Sequence, residues 1–268
     1  MFTERIYLRE NDDKVFLDAV IAQPTPSYTR RAILVIPGGG YQNVCYEHEG
    51  EPVGLAFMAH GYNVFVLHYS VARVRPFPAQ LIEASLAVKH IKDNAEKYGI
   101  DPNEIFVTGF SAGGHLACSL GVLWHLPEIY EATGMPYGYN RVRGMMLGYP
   151  VITTDHRAHI GSHCNLWCTN TPSEEQLAIS SLEKHVDEKS VPLFLVHTSN
   201  DPVVPVHNSL ALGEAYAEAG IPFEMHIYPK GPHGVALGND ITSRGYSDCS
   251  DAAIAKWVEQ AVYWAEHL

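Results

Sequence analysis

Short aliphatic runs recur along the chain, separated by longer amphipathic stretches. The segments 33–36, 63–67, 104–108, 145–147, 192–197 and 223–228 are each rich in β-branched, aliphatic or aromatic side chains. Most are apolar continuously rather than at every second position, the pattern of strands covered on both faces in a parallel sheet. Between them, 78–98 places Leu81, Ala84, Ser85, Val88 and Ile91 at helical spacing and stops at Gly99. A second helix is expected over 112–123 and a third over 206–219, ending at Gly220. A closing helix over 252–267 puts Ile254, Trp257, Val258, Ala261 and Trp264 on one face. The residues 5–21, ahead of the first glycine cluster, read as a pair of antiparallel edge strands. Strand and helix alternating in this way predict a doubly wound α/β sheet.

One stretch breaks the pattern. Residues 153–190 show little apolar periodicity and are rich in His, Cys, Ser and Glu. They fall between the fourth and fifth buried strands, so they read as a cap-like insertion above the sheet. No repeat or low-complexity linker marks a boundary, and residues 1–268 are expected to form a single domain.

Composition narrows the function classes. With 30 acidic against 18 basic residues the formal charge is −12, which disfavours nucleic acid or an anionic membrane surface as partner. No secretion signal or spanning segment is visible. The 5 cysteines are odd in number and scattered, which suits reduced thiols and a cytoplasmic location better than a disulfide framework. A homodimer stays open.

The chemistry concentrates at Gly109-Phe110-Ser111-Ala112-Gly113. It follows a predicted strand and opens a predicted helix. A serine on so sharp a turn adopts a strained backbone, and only small residues two before and two after it avoid a clash. The turn lifts the hydroxyl above the sheet edge, and the helix N-terminus favours developing negative charge. An acyl-transfer serine needs a base and a group that orients the base. Asp201 and His233 lie just beyond the strands 192–197 and 223–228, in the order Ser, Asp, His and on the expected side of the sheet. Asp155, Asp187 and Asp240 are less well placed. A tetrahedral intermediate also needs preorganised donors. The N–H of Ala112 is one candidate, with Gly39 or Gly40 of Gly38-Gly39-Gly40-Tyr41 as the other. A phosphate-binding role for these glycines fails, because neither G-x-G-x-x-G nor a Gly-Lys-Ser/Thr ending is present.

These motifs, together with Glu49-Gly50-Glu51-Pro52, Asn200-Asp201-Pro202-Val203-Val204-Pro205 and Pro229-Lys230-Gly231-Pro232-His233-Gly234, resemble the bacterial acetyl xylan esterase-like branch of the α/β hydrolases. That branch is related to carboxylesterases of the hormone-sensitive-lipase type. The resemblance covers roughly residues 30–240 and implies the α/β-hydrolase fold. It also implies a Ser111–His233–Asp201 triad, an oxyanion hole from Ala112 with Gly39 or Gly40, and no cofactor. Pro37 stands where related lipases carry a histidine, which leaves open which glycine N–H points inward.

The expected function is a serine carboxylesterase acting on short acyl, chiefly acetyl, esters of sugars such as acetylated xylan oligosaccharides. The same triad could serve an arylformamidase or small peptidase, and a non-catalytic α/β-hydrolase-like binding protein is an alternative of another class. Tyr41, Tyr69, Tyr149 and Val203 are candidate substrate-binding residues, and Trp124 or Trp167 could close a deep pocket near Ser111. The run His156, His159, His163, Cys164, Cys168 matches no established zinc spacing. It is not assigned a metal; surface exposure and pocket lining both stay open for it. His115, one helical turn after Ser111, is expected to pack against the sheet.

Overall fold

The computed structural model describes residues 1–25 and 27–268. The strands are β1 Phe2–Tyr7, β2 Phe16–Ile21, β3 Arg30–Ile36, β4 Asn63–His68, β5 Ile100–Phe110, β6 Gly144–Gly148, β7 Leu193–Thr198 and β8 Phe223–Tyr228. Among the described residues they form an 8-stranded sheet in the order β1-β2-β4-β3-β5-β6-β7-β8. β1 and β2 are antiparallel to each other, and β2 is antiparallel to β4, while the pairs from β4 through β8 are parallel. The antiparallel edge pair expected from 5–21 is therefore present and extends to Phe2.

Burial on both faces explains the continuous apolar runs. Along β3, Ala32, Leu34 and Ile36 enter one core while Ile33 and Val35 enter the other. The first core is closed by α3 (Ala79–Asp93), α5 (Ser111–Val122) and α9 (His207–Ala219), through residues such as Leu81, Leu116 and Leu212. The second is closed by α2 (Glu51–Ala59) and α10 (Trp257–Glu266), through Phe57, Trp257 and Trp264. β8 is the outer strand, and Phe223 and Ile227 stay partly exposed there.

Helix boundaries depart from the sequence expectation in instructive ways. The stretch 78–98 divides at Asn94, whose side-chain amide donates to the His90 carbonyl (2.9 Å) and ends α3; α4 (Ala95–Tyr98) follows. The 252–267 stretch begins as a 3-10 turn, Ile254–Lys256, before α10. α2, preceded by the short α1 (Tyr46–Glu49), went unpredicted because Val53, Leu55, Ala56, Phe57 and Met58 make it apolar nearly all round. α6 (Pro127–Thr133) was likewise not foreseen. The irregular 153–190 stretch contains α7 (Ile160–Leu166), α8 (Glu174–Ile179) and a 3-10 turn at Leu182–His185. A capping box between Ser173 and Gln176 starts α8. Among the described residues, no helix is long and apolar enough to cross a membrane.

Candidate active site

The parallel strands deliver their following loops to one end of the sheet. Gly38 to Tyr41 follow β3, Ser111 follows β5, Asp201 follows β7, and His233 follows β8. The sharp turn between β5 and α5 puts Ser111 at φ 52, a left-handed conformation that a non-glycine residue adopts only under strain. The flanking glycines are sterically required. A Cβ on Gly109 would lie 2.3 Å from the Gly113 carbonyl oxygen, and one on Gly113 would lie 2.2 Å from that of Ile36.

Three sequence-predicted residues meet in one hydrogen-bonded chain. His233 Nε2 stands 2.8 Å from Ser111 Oγ, and His233 Nδ1 stands 2.7 Å from Asp201 Oδ2. A carboxylate only accepts, so Nδ1 carries the proton and Nε2 is left bare toward the serine hydroxyl. Asp201 is held from both sides, with Oδ1 accepting the N–H groups of Val203 (2.8 Å) and Val204 (3.0 Å). Burial works to raise the Asp201 pKa. Hydrogen bonds from His197, His233 and Val203, with the charge of His233, outweigh it and hold the carboxyl well below its ordinary range.

His197 is a partner that sequence reasoning missed. It sits on β7 four residues before Asp201, and its Nε2 lies 3.3 Å from Asp201 Oδ2 and 3.0 Å from the Val204 carbonyl. Its Nδ1 meets Ser209 Oγ at 2.6 Å, which leaves Nε2–H as the donor toward both acceptors. A histidine closing a buried strand carries no local signal of this role.

The glycine loop contributes backbone donors. Gly38 N–H donates to Glu49 Oε2 (2.8 Å). Among the described residues nothing accepts from the N–H groups of Gly39, Gly40 or Ala112. Gly39 (φ 123) and Gly40 (φ 62) line a cleft of about 200 Å³ together with Ser111 and His233. Glu49, also unassigned from sequence, is buried, and its second oxygen accepts from Tyr149 Oη–H at 2.7 Å.

The proposed substrate walls need correction. Val203 reaches the cleft, but Tyr41, Tyr69 and Tyr149 are fully buried behind it. Their hydroxyls are engaged with His115 Nδ1 (2.9 Å), the Pro37 carbonyl (2.8 Å) and Glu49. A tyrosine at a strand end faces inward as readily as outward, and here each hydroxyl finds an internal partner. Trp124 and Trp167 do not close the cleft either. Trp124 donates to the Lys189 carbonyl, and Trp167 borders a separate apolar cavity of about 450 Å³ beside Phe77 and Leu123.

The histidine and cysteine run of the insertion is dispersed. The His156 side chain is exposed, whereas His163 is buried between Ser180 Oγ (3.2 Å) and the Thr153 carbonyl (3.3 Å). His159 alone enters the cleft, its Nδ1 paired with Ser162 Oγ at 2.8 Å. Burial chiefly, and then the charge of His233, lower its pKa. The donor atoms of Cys45, His48 and Glu49 lie within 4.8 Å of one another, but both Glu49 oxygens already accept protein hydrogen bonds. His115 is buried as expected, though its ring is hydrogen-bonded as well as packed, with Nε2 3.0 Å from the Ser180 carbonyl.

Sheet order, crossover connections and a serine lifted above the strand ends define an α/β-hydrolase fold. The chain belongs to the BD-FAE family, whose profile matches residues 17–216. It is similar to "Endo-1,4-beta-xylanase B" of Butyrivibrio fibrisolvens, at 39% identity over 81% of this chain and 34% of that protein. It also resembles an "Acetylxylan esterase" of Xylanibacter ruminicola, at 29% identity over 78% of this chain and 42% of that protein. The chain thus spans well under half of the length of these curated relatives. Among solved structures, the acetyl ester-xyloside bifunctional hydrolase from Caldicellulosiruptor lactoaceticus superposes with a TM-score of 0.82 at 34% identity, covering 98% of this chain and 96% of that one.

Proposed function

We propose that this chain is a serine carboxylesterase that removes short acyl groups, acetyl foremost, from sugar esters. The observation that carries the reading is the unbroken Ser111–His233–Asp201 hydrogen-bond chain, opening onto a cleft with uncommitted backbone N–H groups. In the first half-reaction His233 Nε2 takes the Ser111 proton while Oγ bonds to the ester carbonyl carbon. The carbonyl oxygen gains negative charge and is received by the N–H of Ala112 with that of Gly39 or Gly40; Gly38 is already committed to Glu49. The carbon–oxygen bond to the alcohol then breaks, and the alcohol departs with the proton from His233. Water repeats the sequence on the acyl-serine and releases the acid. These steps call for no cofactor.

Acetyl as the acyl group is supported by the two relatives whose names carry it. The described activities of the relatives, an acetylxylan esterase and an acetyl ester-xyloside hydrolase, support a sugar as the alcohol. In this reading residues 1–268 work as one domain, and 153–190 closes one side of the cleft through His159. The free state of all 5 cysteines fits a reducing, cytoplasmic setting.

The test is a panel of p-nitrophenyl esters of increasing acyl length, acetylated xylo-oligosaccharides and aryl formamides. Acetyl esters are expected to turn over fastest, and Ser111 to be labelled by a fluorophosphonate. Faster turnover of formamides than of acetyl esters would overturn the ester assignment. Failure to label Ser111 would favour a non-catalytic binding protein.

A further inference from the structure

The steps above leave one end of the cleft unused. His48 is 8% exposed, lines the cleft, and makes no hydrogen bond to any described residue. Glu49 Oε1 lies 3.8 Å from its Nε2. Burial, the largest influence, lowers the His48 pKa, so near neutral pH the ring is uncharged and offers one donor and one acceptor.

Arg244 approaches the same place from the other side. It pairs with no carboxylate among the described residues, although the chain carries 30 acidic residues. Its backbone is left-handed, at φ 56, and this turn brings the guanidinium back to the cleft wall.

Gly234, the residue after His233, marks where these groups converge. A Cβ there would lie 3.4 Å from Arg244 Nη2, 3.7 Å from His48 Nε2 and 4.0 Å from Glu49 Oε1. Three polar heads thus surround one small space beside the base that protonates the departing alcohol. A leaving oxygen must come within reach of His233 Nε2, so this space belongs to the alcohol half of the ester.

The chemistry of the space selects its occupant. An apolar group would leave the His48 and Arg244 heads without partners. A carboxylate would face Arg244 but would also lie against Glu49, which Gly38 and Tyr149 hold in place. A hydroxyl suits all three, because its two lone pairs accept from Arg244 and His48 while its O–H donates to Glu49. We infer that His48 and Arg244, with Glu49 behind them, form a subsite for a free hydroxyl next to the ester on the sugar that departs.

This inference rests on the sugar-ester reading, and the experiment separates the two. Arg244→Ala alters an exposed side chain, and His48→Phe keeps the ring volume while removing both nitrogens. For each, kcat/KM is measured on mono-acetylated xylobiose, on 4-carboxyphenyl acetate and on p-nitrophenyl acetate, the last two having leaving groups with no neighbouring hydroxyl. The ratio of sugar to aryl ester is expected to fall about tenfold in each variant, mainly through KM, as for one or two lost hydrogen bonds. Thermal unfolding of Arg244→Ala checks that its fold is kept and carries the test if His48→Phe fails to fold. An unchanged ratio in Arg244→Ala overturns the subsite and leaves the esterase reading standing. A loss confined to 4-carboxyphenyl acetate would make it an anion site and overturn the hydroxyl assignment. A wild-type chain that hydrolyses p-nitrophenyl acetate but no sugar acetate would overturn the sugar reading and the subsite together.

Discussion

Two hydrogen-bonded histidine chains lie at the same end of the sheet, and they differ in what terminates them. One runs from Ser111 through His233 to Asp201, with a carboxylate at one end and an open cleft at the other. The second runs from Tyr41 through His115 to the Ser180 carbonyl, with His163 between Ser180 and Thr153 alongside. It contains no carboxylate and is buried throughout. Burial pushes His115 down to about 4 and His163 down to about 3, so both rings stay neutral. In His115 the tautomer follows from its partners, with Nε2–H donating to the Ser180 carbonyl and Nδ1 accepting from Tyr41. The second chain anchors the 153–190 insertion to α5, and the first is placed to move a proton. A histidine is fitted to acid–base work by its carboxylate partner and its access to substrate; hydrogen bonding alone does not make it a base.

Substitutions can break that comparison. Ser111→Ala should lower kcat on p-nitrophenyl acetate by about 10³–10⁶ with little change in unfolding temperature. Asp201→Asn, which leaves shape but removes the charge that sets the His233 tautomer, should lower kcat by roughly 10⁴. His115→Gln should do the reverse, reducing stability by about 1–3 kcal/mol while kcat stays within about tenfold of wild type. Equal losses of activity in Asp201→Asn and His115→Gln would erase the distinction between the two chains.

Gly113→Ala tests the scaffold of the first chain. The new methyl would collide with the carbonyls of Ile36 and Pro37, at 2.2 and 2.3 Å, both of them rigid backbone. Chemical denaturation should show a loss of about 3 kcal/mol or more, or no folded protein.

Acid sharpens the contrast. His115 and His163 have folded pKa values depressed below the ordinary 6.5, so in this range the unfolded chain binds protons that the folded chain refuses. Their contribution is intact above pH 6.5 and is lost as pH falls through about 4 for His115 and about 3 for His163. Each should add a slope of up to about 1.4 kcal/mol per pH unit within its window. His115→Gln should flatten the dependence between pH 6.5 and about 4, read from urea midpoints. The smallest expected effect is that of His197→Gln. Losing one donor to Asp201 should lower kcat about fivefold without changing KM, equivalent to about 1 kcal/mol.

Much of the fold was legible because strand burial writes itself into composition. A strand covered on both faces, as β3 is by two cores, can hardly be anything but an apolar run. Glycine and serine around residue 111 were legible for a related reason, since backbone clashes at 2.2–2.3 Å admit no other side chain at Gly109 and Gly113. Where the constraint was a side-chain partnership between distant segments, the pattern was silent. Tyr69 and Tyr149 sit at strand ends and Tyr41 in the glycine loop, yet nothing local says that each hydroxyl finds an internal acceptor or donor.

The sequence by itself determined the sheet, the turn that exposes Ser111, and the order in which Asp201 and His233 follow it. These depend on short-range sterics and on hydrophobic burial, which act on neighbouring residues. Only the tertiary structure decided that His197 shares Asp201, that Gly38 is spent on Glu49, and that His48, His159 and Arg244 meet at the cleft. These groups are spread along the chain between residues 38 and 244, and they come together only where the packed sheet brings the ends of its strands side by side.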